Sequence, residues 1–445
     1  MAADGDPIPL VIVQGFLGST GIVSWDRHIE SFELDLFAGR KLILPSLGAV
    51  SSLHDRACEL YYSLVGGRVD YGAEHCTSHQ HSRYGRVFST GLYPMWSKER
   101  PLHFFGHSVG GPTIIKLQHL IEQGHFGKEA HPDMVLSVNA VCAPFRGTQL
   151  VYALGESTTS APNVRPFSVG AFLAKFVHII AYFSPLLPSL FDVHADARAL
   201  SYRDVSGLSF LKQLWKSDWA ESKDAAPYDT TFEAGEEREN GLEGRTFPNT
   251  FYRSHVSVMT QKVDSSTNSY QHTPRYLFSI THTLLFAFSK WIGTFDYNVL
   301  KPSPSFSCVQ SPNSDLKKEL ALSEQLEGGI LTVMGEEYWA NDGVVPMFSQ
   351  WHPYPCALTK CSHLKCMDLK TFEDKQSAEN TTTVDVRLHL GRWSVMTVNG
   401  TNHLSLIPGL SKASTYQKAF WAELGHWLGS VEDFSIGSVS WPESK

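Results

Sequence analysis

Leu102-His103-Phe104-Phe105-Gly106-His107-Ser108-Val109-Gly110-Gly111-Pro112 is the stretch whose reading decides the fold. An apolar run ends in Gly106-His107-Ser108-Val109-Gly110, and a helical pattern starts at Thr113. A G-x-S-x-G pentapeptide between a strand and a helix predicts a nucleophile elbow, with the serine at the apex of a strained turn. Glycines two residues either side of Ser108 let the backbone pass closely, because they carry no Cβ. Without its flanks the pentapeptide reads equally well as a Gly-Ser turn in some other α/β protein.

The chain has 445 residues, 42% of them hydrophobic and 18% charged, the balance of a globular protein rather than a disordered one. Aromatic residues make up 12%, which suits a protein with apolar surface to offer a ligand. A net charge of -8 argues against nucleic acid as a partner. The start, Met1-Ala2-Ala3-Asp4, enters a strand by Leu10 with no visible signal peptide, so a cytoplasmic location is the default expectation. Seven cysteines leave at least one unpaired, and Cys58, Cys76 and Cys142 are expected as free, buried thiols. Cys356, Cys361 and Cys366, with His363 among them, suit either a local disulfide or a metal knuckle, although the spacing is not C-x-x-C. Asn380-Thr381-Thr382 and Asn399-Gly400-Thr401 fit the glycosylation sequon, which matters only in a secretory compartment.

Taken in order, Pro9 to Val13 reads as a short strand followed by Gln14-Gly15-Phe16-Leu17-Gly18. A Gly-rich turn this early is where α/β-hydrolases place half of an oxyanion hole, here through the Phe16 N–H. Leu42 to Leu47 reads as another strand, and Ser52 with Asp55 predicts a capped helix through about Val65. His75, His79 and His81 crowd one loop, as either zinc ligands or an ordinary polar loop. Met134 to Val138 reads as a strand. From about 150 to 295 the pattern changes to a large helical insertion within a single catalytic domain. Within it, Phe167 to Phe191 is nearly all apolar at helical spacing, which suits a lid over a cleft or a fully buried helix. Lys175, His178, Pro185 and Pro188 interrupt it, so no transmembrane span is expected. Asp218 to Arg245 carries nine Asp/Glu between Asp218 and Glu243 and is expected at the surface. Tyr276 to Ile292 is a second apolar helix, expected either as another cleft wall or as core.

Ser303 to Leu326 reads as linker and amphipathic helix, and Ile330 to Met334 as a strand. Asp342 then stands in Asn341-Asp342-Gly343-Val344-Val345-Pro346, and His403 follows the strand-like run Arg387 to Val398. Ser108, Asp342 and His403 fall in the chain order nucleophile, acid, histidine, each partner in a loop after a strand. Ser414 to Leu428 is an amphipathic helix whose Phe420, Trp421 and Trp427 are expected to pack on the core.

Over most of its length the chain resembles the zinc-containing true lipases of thermophilic bacilli and staphylococci. The densest patch of likeness is Asp55-Arg56-Ala57-Cys58-Glu59 through Leu64-Val65-Gly66-Gly67 and Val69-Asp70-Tyr71-Gly72-Ala73 to His75, His81 and Arg83. The resemblance implies an α/β-hydrolase fold: a mostly parallel sheet flanked by helices, with a helical lid and zinc insertion. It implies Ser108, Asp342 and His403 as triad, Phe16 and Val109 as oxyanion donors, and Phe167 to Phe191 as lid. It also implies one structural Zn²⁺ on Asp55, His75, His81 and Asp196, with Asp192 the weaker candidate for the fourth position and His79 unused.

Three positions depart from the family pattern. Gly106 replaces Ala at the elbow, and Gln14 replaces His before the first oxyanion glycine. Ser405 and Leu410 stand where the family's calcium site has acidic residues, so calcium is not expected there. The implied activity is hydrolysis of acylglycerol esters at an oil-water or membrane interface. An acyltransferase or phospholipase with the same triad, or a non-catalytic lipid-binding homologue, are the alternatives.

Overall fold

In the computed structural model the described residues are 6–18, 25, 39–188, 192–194, 196–198, 200–263, 272–274, 283–307, 334–364, 367–368, 389–407 and 414–437. A parallel sheet organises them. From one edge its order is Leu42–Ile43, Leu10–Val13, Leu102–His107, Val135–Val141, Phe251–Val258, Trp393–Asn399 and Cys361–His363, with Met367–Asp368 also paired to Trp393–Asn399. Every pairing within it is parallel. Sheets of this kind are covered on both faces, which is why Leu10–Val13 and Val135–Val141 are buried along their whole lengths.

Strand alternation divides the core into two layers. Val11, Val13 and Phe104 face the helices Leu53–Val65 and Gly110–Glu122, meeting Leu60, Leu64, Ile114 and Leu117. Leu10, Ile12 and Phe105 face the other way, onto Phe420, Trp421, Leu424 and Trp427 of the helix Thr415–Gly437. The helix Leu53–Val65 starts where the Ser52 hydroxyl accepts the Asp55 N–H at 3.2 Å. The expected strand Leu42 to Leu47 pairs only over Leu42–Ile43, and Pro45, which has no N–H to donate, stands just beyond.

One boundary needs correction. Phe251–Val258 lies inside the stretch 150–295 expected to be insertion, yet it is a central strand with all eight residues buried. The helical excursion therefore returns to the sheet before leaving it again. The apolar helix within it spans Val169–Phe183, with Ser168 capping its start by accepting the Ala171 N–H at 3.0 Å. Ala174, Val177 and Ala181 pack against Ala49, Val50 and Trp219. Phe172 (73% exposed), Phe176 (49%) and Phe183 (41%) face outward. By length and composition alone, Val169–Leu186 could cross a membrane.

The later apolar stretch forms a helix at Thr283–Ile292. It supports the Asp342 loop, where Asn341 Nδ2 donates to the Ser289 carbonyl at 3.0 Å. The expected strand Ile330 to Met334, all of it but Met334, and the predicted helix toward Leu326 from 308 onward lie outside the described residues, as do Cys366, the Asn380 sequon and Leu410.

Candidate active site and metal centre

Ser108 follows the last residue of the Leu102–His107 strand and holds φ at +54°, a conformation that L side chains rarely adopt. The turn is packed so tightly that its neighbours must be glycine. A Cβ on Gly110 would lie 2.0 Å from the Val13 carbonyl oxygen, and one on Gly106 would lie 2.6 Å from the Gly111 nitrogen. A Cβ on Gly15 would lie 2.7 Å from the Ser108 Cβ, so the loop carrying Phe16 runs directly against the serine. Among the described residues, neither the Phe16 nor the Val109 N–H is taken up by another group. Both residues line the same cleft as Ser108.

Asp342 is fully buried and committed at both oxygens. Its Oδ1 accepts the N–H groups of Val344 at 2.8 Å and Val345 at 2.7 Å, while Oδ2 lies 2.8 Å from His403 Nδ1. Since a carboxylate only accepts, the proton of this pair sits on Nδ1 and Nε2 is left free. His403 is held a second time, because its backbone N–H donates to the Asp342 carbonyl at 2.9 Å. The carbonyl of His403 in turn accepts from His107 Nε2 at 3.0 Å, tying the histidine loop to the residue preceding Ser108. Burial, with the nearby His403 imidazole, holds His107 down to about 3, so it is a neutral donor there. Cys142 lies beside Asp342 and His403 as a buried thiol pushed up by burial. Cys58 and Cys76 are free and buried as well.

The cleft over Ser108 is walled by Leu150, Val151, Leu154, Val164, Leu173 and Trp219. Among its lining residues Glu156 is the ionisable one, and burial pushes its carboxyl up.

A second constellation lies behind the insertion. Asp55, His75, His81 and Asp224 bring one donor atom each to within 4.8 Å of one another. His75 Nε2 is 3.4 Å from Asp55 Oδ1 and 3.2 Å from Asp224 Oδ1, and His81 Nε2 is 3.3 Å from Asp224 Oδ2. Donors on a tetrahedral zinc stand roughly 3.3 Å apart, given Zn–N and Zn–O lengths of about 2.0–2.1 Å. Asp55 Oδ1, His75 Nε2, His81 Nε2 and Asp224 Oδ1 are all buried without a hydrogen-bond partner among the described residues, which suits a cation among them. His81 Nδ1 donates to the Ser82 carbonyl at 2.9 Å, leaving the Nε2 lone pair facing inward. Burial opposes charge throughout. On His75 the Asp224 and Asp55 carboxylates outweigh it and hold the imidazole up at about 9. Asp224 stays ionised against its burial through His75 and His81, while burial and that neighbouring carboxylate push Asp55 up.

The fourth member of this group is Asp224, not the expected Asp196. The Asp196 carboxylate is occupied by Arg86, at 2.5 Å from Nη2, and the same guanidinium holds Asp192 at 3.0 Å. Arg86 thus neutralises both acids at a distance from the histidines. Asp224 comes from the acidic stretch expected at the surface, yet it is almost fully buried, and Arg198 Nη2 meets its Oδ2 at 2.5 Å. The only hint in the sequence is the apolar Ala225-Ala226-Pro227 that follows it. The His79 ring lies tilted against His75 at 4.6 Å but is not one of the four. Ser405 caps its own loop by accepting the Asn402 N–H at 2.8 Å.

The family model described as lipase-like, C-terminal domain matches residues 8–291. The lipase of Staphylococcus hyicus is 28% identical over 344 residues, covering 72% of this chain and 50% of that protein. Lipase 1 of Staphylococcus aureus is 29% identical over 285 residues, covering 58% of this chain and 39% of that protein. The chain thus spans half or less of the length of these curated relatives. The crystal structure of Staphylococcus hyicus lipase superposes with a TM-score of 0.67 at 25% identity, over 97% of this chain and 98% of the other.

Proposed function

Because this chain belongs to the lipase-like C-terminal domain family, we propose that it hydrolyses long-chain acylglycerol esters through an acyl-enzyme on Ser108. The observation that carries the reading is the common placement of Ser108, Phe16 and Val109 in one apolar cleft, with the Asp342–His403 pair tied to Nε2 of His107, the residue that precedes Ser108.

Ser108 Oγ attacks the ester carbonyl as His403 Nε2 takes its proton. The tetrahedral oxyanion is received by the N–H groups of Phe16 and Val109, each such donor being worth about 3–4 kcal/mol. His403 returns the proton to the departing alcohol, and water then repeats the sequence on the acyl-enzyme. Asp342 fixes the tautomer and stabilises the imidazolium that forms.

The substrate class follows from the walls. Leu150, Val151, Leu154 and Leu173 suit an acyl chain. The outward Phe172 and Phe176, together with Leu208, Leu211 and Trp215 of the adjoining helix Gly207–Trp215, suit an oil surface. The helix Val169–Phe183 is the lid in this reading. Zinc is the metal that the two imidazoles and two carboxylates fit, held by Asp55, His75, His81 and Asp224. Bound there it supplies structural cross-linking, since four protein ligands leave no open position.

The deciding experiment is fatty-acid release from a triacylglycerol emulsion by wild type and Ser108→Ala. Wild type is expected to release acid and the variant to lose on the order of 10⁶-fold in turnover. Activity surviving in Ser108→Ala would refute the mechanism. A wild type that binds the emulsion without releasing acid would favour a lipid-binding role.

A further inference from the structure

We propose that His352, Cys356, Cys361 and His363 form a second metal site, suited to zinc, at the edge of the central sheet. Their donor atoms all lie within 4.8 Å of one another. Cys356 Sγ stands 3.5 Å from His352 Nε2 and 3.3 Å from His363 Nε2. A tetrahedral zinc with Zn–N near 2.0–2.1 Å and Zn–S near 2.3 Å places adjacent nitrogen and sulfur donors about 3.6 Å apart. The side chains already stand close to the spacing the ion would impose.

Each donor is placed by backbone rather than by chance contact. His352 follows the helix Met347–Trp351 and is buried, with Nδ1 at 2.6 Å from the Tyr354 carbonyl. A carbonyl only accepts, so Nδ1 carries the proton and the Nε2 lone pair points at the sulfur, the arrangement that orients metal-binding imidazoles. Cys356 opens a tight turn in which the Leu358 N–H donates to the Pro355 carbonyl at 2.9 Å. Cys361 and His363 are alternate residues of the edge strand, paired in register with Trp393 and Val395, so both project from one face. Trp351 packs edge-on against the His363 ring at 4.7 Å.

The sequence offered Cys356, Cys361 and Cys366 with His363 for a disulfide or a metal knuckle; Cys366 lies outside the described residues, and the structure adds His352. Two imidazoles and two thiols form a soft, closed donor set, which favours zinc over calcium or magnesium. On binding, the two thiols become thiolates and release two protons. The ion would tie the edge strand to the helix directly after the Asp342 loop, through residues none of which belongs to the carboxylate-histidine site of Asp224.

The test is elemental analysis of the full-length protein purified under reducing conditions. Two zinc ions per chain are expected, falling to one in Cys356→Ser/Cys361→Ser and separately to one in Asp224→Asn. In cobalt-substituted protein a thiolate-to-metal absorption band should persist in Asp224→Asn and vanish in the double cysteine variant. A metal content unchanged by the cysteine substitutions, or a Cys356–Cys361 disulfide found by peptide mapping, would overturn the proposal. Should the double variant not fold, alkylation of wild type decides. Cys356 and Cys361 should resist iodoacetamide until a chelator is added, and equal reaction with and without chelator would equally refute the site.

Discussion

His75 Nε2 lies 3.2 Å from the Asp224 carboxylate, which joins the start of the chain's core to a segment of the insertion with no other recognisable motif. The contact draws the acidic stretch inward and leaves Asp196 to Arg86. Asp224→Asn is therefore expected to lose the metal and about 3–5 kcal/mol of stability, because the histidines and Asp55 would keep a buried imbalance of charge. Asp196→Asn should keep the metal. Metal content and thermal unfolding of the two variants check this, and loss of metal in Asp196→Asn alone would reverse the assignment.

Asp342→Asn leaves the packing intact but favours the wrong tautomer of His403. Turnover of a soluble ester is expected to fall about 10⁴-fold, with KM little changed. Steady-state kinetics on that ester measure it.

Gly15→Ala places a methyl 2.7 Å from the Ser108 Cβ. The serine or the Phe16 loop must move, and misplacement of that order costs about 10²-fold in turnover. Circular dichroism should show the fold retained. An unchanged kcat would mean that the loop does not position the nucleophile.

His178 anchors the inner side of the apolar helix, its Nε2 at 2.7 Å from the Ser217 hydroxyl. Burial lowers its pKa from 6.5 to about 4. The unfolded chain therefore binds this proton more readily than the folded one between those two values. The contribution is complete above pH 6.5 and is lost as the pH falls toward 4, at about 1.4 kcal/mol per pH unit, or about 3 kcal/mol in all. Hydrogen exchange in the helix Val169–Phe183 should accelerate across that window in wild type, and His178→Gln should flatten the response.

Phe172→Ser/Phe176→Ser removes apolar surface that only an interface would cover. Each phenyl ring is worth about 1.5–3 kcal/mol when buried, so activity on an emulsion should drop at least about tenfold. Activity on a soluble short-chain ester should not.

What was legible in the sequence follows from how local each feature is. Ser108 could be read because a positive φ and close backbone approach demand glycines at fixed offsets. His403 could be placed because it follows the strand Trp393–Asn399, and Asp342 because it stands in the loop that meets it; the strand expected before Asp342 lies, but for Met334, outside the described residues. Phe251–Val258 could not, because Arg253, Ser254, His255 and Ser257 break its apolar pattern. Two of these side chains meet partners far along the chain, Arg253 at Glu423 (2.8 Å) and Ser254 at the Trp351 carbonyl. Asp224 and His352 were hidden for the same reason. A ligand is defined by what converges on it, and convergence across the chain leaves no spacing to read.

The walls of the cleft have a practical consequence. Leu150, Val151, Leu154, Val164 and Leu173 come from one stretch of the chain and Trp219 from a later one, whereas Phe16, Ser108 and Val109 lie in the turns that follow two strands of the sheet. In the proposed reaction, acyl-chain selectivity and chemistry would thus be set by different segments. The glycine-locked elbow tolerates almost no variation, while the wall positions of 150–173 can be varied, Gly155 excepted because a Cβ there would lie 2.1 Å from the Ser168 Oγ. A library confined to that segment should redirect chain-length preference while leaving the chemistry in place.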